Sequence, residues 1–178
     1  MLKYVDMRMN ERKAYCRRDV VGVVESGSHQ EFDEIDLGII KLLQRDSRLS
    51  FNKIASELGV STGTAYNRIK NLEGKGVLKG YTALVDPSKL GFTMTAIVLI
   101  QAEGTHLVEV EKQIAEKDCV VSVYDITGDF DIAAIVRFKD RNGLNAFIKN
   151  LLSTPYIKRT VTNVVLNVIK EDFRINLL

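Results

Sequence analysis

The stretch from Ser61 to Lys79 gathers hydroxyls, an amide and cations at helical spacing. Thr62, Gly63, Tyr66, Asn67 and Lys70 fall on one face, with Arg68 at its flank. Ala65, Ile69 and Leu72 form the opposite, apolar stripe. Glu73 is the one acid from 61 to 79, against Arg68, Lys70, Lys75 and Lys79. Amides and hydroxyls pair with base edges, and cations with phosphates, so this face suits the major groove of DNA. Ser61 stands where a helix cap belongs, and the free N–H groups of a helix start also suit a phosphate. The candidate contacts are Ser61, Thr62, Thr64, Tyr66, Asn67, Arg68 and Lys70. The plainer reading of each polar residue is a solvated helix face, and of Tyr66 a partly buried ring.

A second constellation is Thr127-Gly128-Asp129-Phe130-Asp131. Two carboxylates in a hairpin turn form the turn or accept hydrogen bonds; metal ligation is the bolder reading. No Ser-His-Asp set, pair of catalytic acids or Gly-rich phosphate loop is evident. The two His, His29 and His106, leave little room for imidazole catalysis, and His106 reads as a surface or capping residue.

These residues need elements to position them. Asp33 caps a first helix, with Glu34 and Asp36 in its first turn and an apolar stripe of Ile35, Ile39, Leu42 and Leu43. Ser50 starts a second, with Phe51, Ile54, Ala55 and Leu58 on one face, and Gly59 stops it. The third starts at Ser61. Small Ala55 four residues before Gly59 lets helices two and three cross closely, which is helix-turn-helix spacing. Lys79 to Val85 reads as a short strand, ended by Asp86-Pro87, that links two domains.

From residue 91 strand and helix alternate. Thr93–Gln101 is β-rich, Thr105–Lys117 helical, and Val120–Thr127 and Asp131–Phe138 are strands. A helix capped by Asp140 follows, and Ile157–Ile169 is the last strand. The order βαββαβ is ferredoxin-like: a four-stranded antiparallel sheet with two helices on one face. The fold class is therefore α+β, an N-terminal helix-turn-helix (winged-helix-like) domain over 33–78, a linker strand over 79–90 and a ferredoxin-like domain over 91–178. Both faces of the first and second strands of that sheet are apolar, with Ile97 and Leu99 on one side and Val98 and Ile100 on the other. Two helices cover only one face, so the second predicts sheet-to-sheet dimerisation, the plainer alternative being that loops or the N-terminal arm cover it. Residues 1–32 read as a solvated extension with a basic stretch (Arg12, Lys13, Arg17, Arg18), or as an added arm touching DNA. Within them, Val20–Val24 could form one edge strand.

Composition narrows the classes. The 178 residues are 46% hydrophobic and 27% charged, which excludes a disordered or low-complexity chain. No apolar run reaches the ~18 residues of a membrane span. Cys16 and Cys119 are too few for a disulfide framework and lack metal-ligand spacing, so no cofactor or metal is expected. The net charge of +2 is weak, so an anionic partner must be met by a local cluster.

The run Phe32 to Arg48 resembles the opening helix of the Lrp/AsnC, or feast/famine, transcription regulators. So do Ile54-Ala55 with Gly59-Val60-Ser61, Arg68 to Glu73, and Gly76-Val77-Leu78-Lys79-Gly80-Tyr81. Gly128-Asp129-Phe130-Asp131 is similar to that family's Gly-Asp-x-Asp turn. The resemblance runs from about 33 to 172. It implies a cytoplasmic regulator of double-stranded DNA that dimerises through its second domain and often forms tetramers or octamers. It implies that the strand near Lys79–Val85 pairs with its partner-chain equivalent. It also implies that a small effector, usually an amino acid, binds between dimers near the turn. Gly63 departs from the pattern by standing where a more rigid residue is usual.

An amino acid needs an acceptor for its ammonium and clustered donors for its carboxylate. Asp129 or Asp131 supplies the first and main-chain N–H groups around Gly128 the second. Thr127, Tyr124, Thr160 and Thr162 complete the candidate pocket. Two alternatives stay open: an effector-independent regulator or DNA-organising protein, and an enzyme, since proteins similar to this family decarboxylate sirohaem.

Overall fold

The structure is a computed structural model that describes residues 32–177. The expectations for the basic stretch and edge strand before residue 32 lie outside the described residues. The chain divides into two units, one running to Leu84 and resuming at Asp172, the other Val85–Glu171. The division falls inside the expected 79–90 linker.

In the first unit, α1 (Glu34–Arg45), α2 (Phe51–Leu58) and α3 (Thr62–Gly74) form where capping residues start them. Asp33 accepts the Asp36 N–H at 2.9 Å, Ser50 that of Lys53 and Ser61 that of Thr64. Gly59 ends α2 in the left-handed region, with φ 67°, where a side chain is disfavoured. Ile39, Leu43, Ile54, Ala55, Ala65, Ile69 and Leu72 are the core. Fully burying each large one contributes about 1.5–3 kcal/mol. Gly38 allows the approach of α1 to α2: a Cβ there would lie 2.7 Å from Leu58 Cδ2.

Past α3 the Val77 and Leu78 N–H groups close onto the Leu72 carbonyl, and both side chains pack on the core. The expected strand at Lys79–Val85 is not formed. A strand needs a neighbouring strand for its main-chain groups, and none of the described strands lies beside this segment; Leu84 is 82% exposed. The tail also departs from expectation. Residues from Asp172 group with the helical unit rather than the sheet, because the Gln44 amide brackets Ile175. It donates to the Ile175 carbonyl at 3.1 Å and accepts the Ile175 N–H at 2.7 Å.

The second unit contains β1 (Met94–Ala102), α4 (Leu107–Ala115), β2 (Val120–Asp125), β3 (Ile132–Phe138), α5 (Arg141–Leu152) and β4 (Ile157–Val164). The antiparallel sheet has the order β2-β3-β1-β4. Alternation sends Ala96, Val98, Ile100 and Ala102 of β1, and Ile132, Ala134, Val136 and Phe138 of β3, into one core. There they meet Val110 and Ile114 of α4 and Leu144, Phe147 and Leu151 of α5. The other sheet face carries Ile97, Leu99, Ala133 and Ile135, with Ile97 39% exposed. The last strand stops at Val164 rather than Ile169, because β1 begins at Met94 and offers its last ladder acceptor, Thr95 O, to Val165. The helix expected from Thr105 starts at Leu107, after a 3₁₀ turn over Gly104–His106.

Candidate nucleic-acid interface and effector turn

At the start of α3 the hydroxyls are drawn into local bonds. Ser61 Oγ caps the Thr64 N–H at 3.0 Å and lies 2.8 Å from Thr64 Oγ1. Thr62 Oγ1 donates to Asn52 Oδ1 at 3.0 Å, tying α3 to the first turn of α2. Tyr66 meets Phe51 edge-on, with ring centroids 5.3 Å apart, and remains 44% exposed. The two helices thus present one surface made of Asn52, Phe51, Thr62, Tyr66 and Asn67. Asn67 is exposed, and its side chain bonds to no described residue.

Arg68 turns the other way. Its Nη1 lies 2.8 Å from Asp33 Oδ2 and 3.3 Å from both oxygens of buried Asp36. This locks α3 to the N-terminus of α1. The Asp36 N–H, and after it the Arg68 guanidinium, hold the Asp33 carboxyl below its usual range. Lys70 Nζ lies 2.8 Å from Glu73 Oε2, whose other oxygen accepts the Tyr81 hydroxyl at 3.0 Å. Asn52 escaped the sequence reading as a member of this surface, because its partner lies on another helix; its signal was a polar residue in the first turn of α2, opposite Ile54 and Leu58. Phe51, expected on the apolar face with Ile54, Ala55 and Leu58, is 40% exposed and packs on Tyr66 instead.

The turn after β2 is built on Gly128, with φ 123°. Ile126 N–H donates to the Asp131 carbonyl, and Asp131 N–H to Ile100 O. Asp131 Oδ2 accepts the Ala102 N–H at 2.9 Å, beside the bulge at Gln101/Ala102. Arg159 stacks over Phe130, 5.4 Å from the ring centre. Asp129 and Thr127 are exposed. Thr160 pairs with Ile100, which also pairs with Ile132, so it stands at the same end of the sheet as the turn.

The remaining two candidates are not brought there. Tyr124 pairs with Ala133, on the face away from the helices, and Thr162 pairs with Val98, two residues further along β4. One acid close to the turn was missed. Glu111 of α4 has Oε1 buried without a hydrogen-bond partner. Burial, and then the charge of Asp125, pushes its carboxyl up from the usual value. It stands alone among Leu107, Val108, Ile114 and Ala115 on the apolar side of α4, and that lone acid was the signal in the sequence. Among the described residues no group of three or more His, Cys, Asp or Glu is gathered as a metal site would need. His106 stacks on Tyr156 at 3.6 Å.

The sequence matches the AsnC-type helix-turn-helix domain over residues 32–73 and the Lrp/AsnC ligand-binding domain over 95–175. A helix-turn-helix transcriptional regulator of Pyrococcus abyssi is 47% identical over 143 residues, covering 80% of this chain and 97% of its own. The crystal structure of an AsnC family regulator from Agrobacterium tumefaciens is 28% identical with a TM-score of 0.74, covering 82% of this chain and 97% of that one. A Neisseria meningitidis regulator, solved as a complex with L-Met, has the same fold, with a TM-score of 0.75 at 23% identity over 82% of this chain and 97% of that one. With its helix-turn-helix unit, its ferredoxin-like sheet and this sequence identity, the chain belongs to the Lrp/AsnC family of DNA-binding transcriptional regulators.

Proposed function

We propose that dimers of this chain read double-stranded DNA with α3, and that a small effector, an amino acid, shifts their assembly or DNA affinity at the Gly128–Asp131 turn. The observation that carries the first half is Asn67, an exposed amide with both donor and acceptor, on a surface with hydroxyls and no acid. Thr62 and Tyr66 flank it, and Ser61, Thr64, Arg68 and Lys70 hold or border the helix that presents it. Two copies of α3 related by a two-fold axis then address half-sites about 34 Å apart. Acting on DNA, the protein works in the cytoplasm; none of its described helices is long and apolar enough to cross a membrane.

The second half is supported by the matched ligand-binding domain and by the L-Met complex of the Neisseria protein. Asp131 already accepts the Ala102 N–H, so Asp129 is the carboxylate left for an ammonium. Thr127 and Thr160 border it, while Tyr124, on the open sheet face, joins from a neighbouring copy across a dimer–dimer contact. A ligand so placed must favour one assembly state through its differential affinity.

The test is an amino-acid panel read by thermal shift and by DNA mobility shift on the parent, Asp129→Ala and Asp131→Ala. A native-state ligand raises the parent's melting temperature. Asp129→Ala should stay folded, bind DNA and lose the response. Asp131→Ala should instead lose about 1–3 kcal/mol of stability, the cost of an unpaired Ala102 N–H. If no amino acid shifts either readout, the effector-independent reading replaces this one.

A further inference from the structure

Away from the turn, a groove of about 570 Å³ opens between α5 and β4. Met94, Leu144, Ile148 and Val164 give it an apolar wall and floor. Arg141, Asn145 and Lys149 follow one another at i, i+4 and i+8 along its helical rim, and Thr162 faces them from the edge strand. Met94, at the far end of the groove, lies six residues or about 20 Å along β1 from Ile100 at the turn, whereas Thr162, at its near end, is two residues along β4 from Thr160.

The polar lining is one-sided in its chemistry. It offers a guanidinium, an ammonium, an amide and a hydroxyl, and no carboxylate. Neither Arg141 nor Lys149 pairs with an acid among the described residues. Nearby Asp140 is spent on the helix cap, accepting the Gly143 N–H at 2.9 Å. A free amino acid would leave its ammonium facing cations, with nothing to accept from it. An anion with an apolar body fits every group present. Arg141 and Lys149 lie eight residues apart, about 12 Å along the helix, too far for one carboxylate to reach both. The planar fork of Arg141 matches a carboxylate in two-point fashion, with Asn145 one turn further along.

We infer that this groove is a second ligand site, distinct from the turn, that takes an aliphatic monocarboxylate lacking an ammonium group. Arg141 receives the carboxylate, Met94, Leu144, Ile148 and Val164 cover the hydrocarbon, and Lys149 adds a longer-range attraction. The site goes beyond the effector reading above and stands or falls separately from it.

Titration calorimetry on the full chain tests it with three probes of one carbon skeleton: 4-methylpentanoate, its neutral amide, and leucine, which adds the ammonium. The carboxylate should bind, and both others should bind at least about tenfold more weakly, the worth of a lost or opposed charge-assisted bond. Shorter acids should weaken about fourfold per methylene removed. Arg141→Gln should cost about tenfold or more, and Lys149→Gln only a few-fold. Both positions are surface ones, so melting temperature should confirm the fold. Asp129→Ala should leave 4-methylpentanoate binding unchanged. The inference is overturned if the carboxylate fails to bind at millimolar concentration, or if the amide or leucine matches it. It is equally overturned if Arg141→Gln binds like the parent, or if Asp129→Ala abolishes binding, which would move the ligand to the turn.

Discussion

Asn67 and Arg68 are neighbours in sequence and opposites in role. Asn67 faces solvent with its amide unengaged by any described residue, whereas Arg68 is bound to Asp33 and to the buried carboxylate of Asp36. Asn67→Ala should therefore leave stability within about 0.5 kcal/mol of the parent and relax base preference in a binding-site selection. Arg68→Ala should cost about 1–2 kcal/mol, because Asp36 loses its cation in a half-buried setting, and any loss of DNA affinity should follow the melting temperature. Should Arg68→Ala melt like the parent yet bind DNA poorly, Arg68 contacts DNA directly. Gly63 offers a change of the opposite sign. A Cβ there would meet only Ser61 Oγ, at an ordinary 3.8 Å. Gly63→Ala should stabilise α3 by about 0.5–1 kcal/mol, through the lower chain entropy of alanine, as measured by urea unfolding. The amide, hydroxyls and cations of α3 were legible in the sequence because helical period sorts faces. That Arg68 points inward was not, since its partners lie more than thirty residues earlier on another helix.

At the scale of elements, capping residues and apolar periods placed the five helices and four strands of the described residues, because those signals are local. What failed was pairing between strands, which is not local. Lys79–Val85 has strand composition but lies beside none of the described strands, and β4 ends where β1 runs out. The turn at 127–131 was legible as a turn from Gly128 and its acids. The split of Tyr124 from Thr160 was not, since it depends on which face each strand turns to the helices. Between elements, α4 and the end of β2 oppose two acids, Glu111 and Asp125. Burial first, then Asp125, raises the Glu111 carboxyl above its usual 4.5. In the window above 4.5 the folded state holds more proton than the unfolded one, so stability falls as pH rises through it. Glu111→Gln removes that penalty. Its melting temperature should exceed the parent's at pH 7, and the gain should shrink as pH is lowered through 4.5. A gain that persists unchanged at pH 3.5 would mean the glutamate acts through packing rather than charge.

The whole molecule raises the question of what covers the second sheet face. Alternation alone left it open whether Ile97 and Leu99 or Val98 and Ile100 point outward. In the structure Val98 and Ile100 are fully buried under α4 and α5, while Ile97 and Leu99 lie with Ala133 and Ile135 on the face that no helix of the unit covers. Four neighbouring apolar side chains on adjacent strands are a patch of the kind that marks an interface. If two copies join through it, a charge there must be desolvated against a second apolar sheet, and a like charge from the partner comes with it by symmetry. Ile97→Glu and Leu99→Glu should thus yield folded monomers by sedimentation, with helical signal and unfolding cooperativity retained. Val98→Glu buries the same charge beneath two helices of its own chain and should unfold the second unit instead. DNA binding separates the consequences further. A monomer presents one α3 instead of two, so Ile97→Glu should lose most affinity for a two-half-site duplex while keeping its weak, salt-dependent affinity for any sequence. If Ile97→Glu and Leu99→Glu both sediment as dimers at micromolar concentration, this sheet face is not where the copies meet.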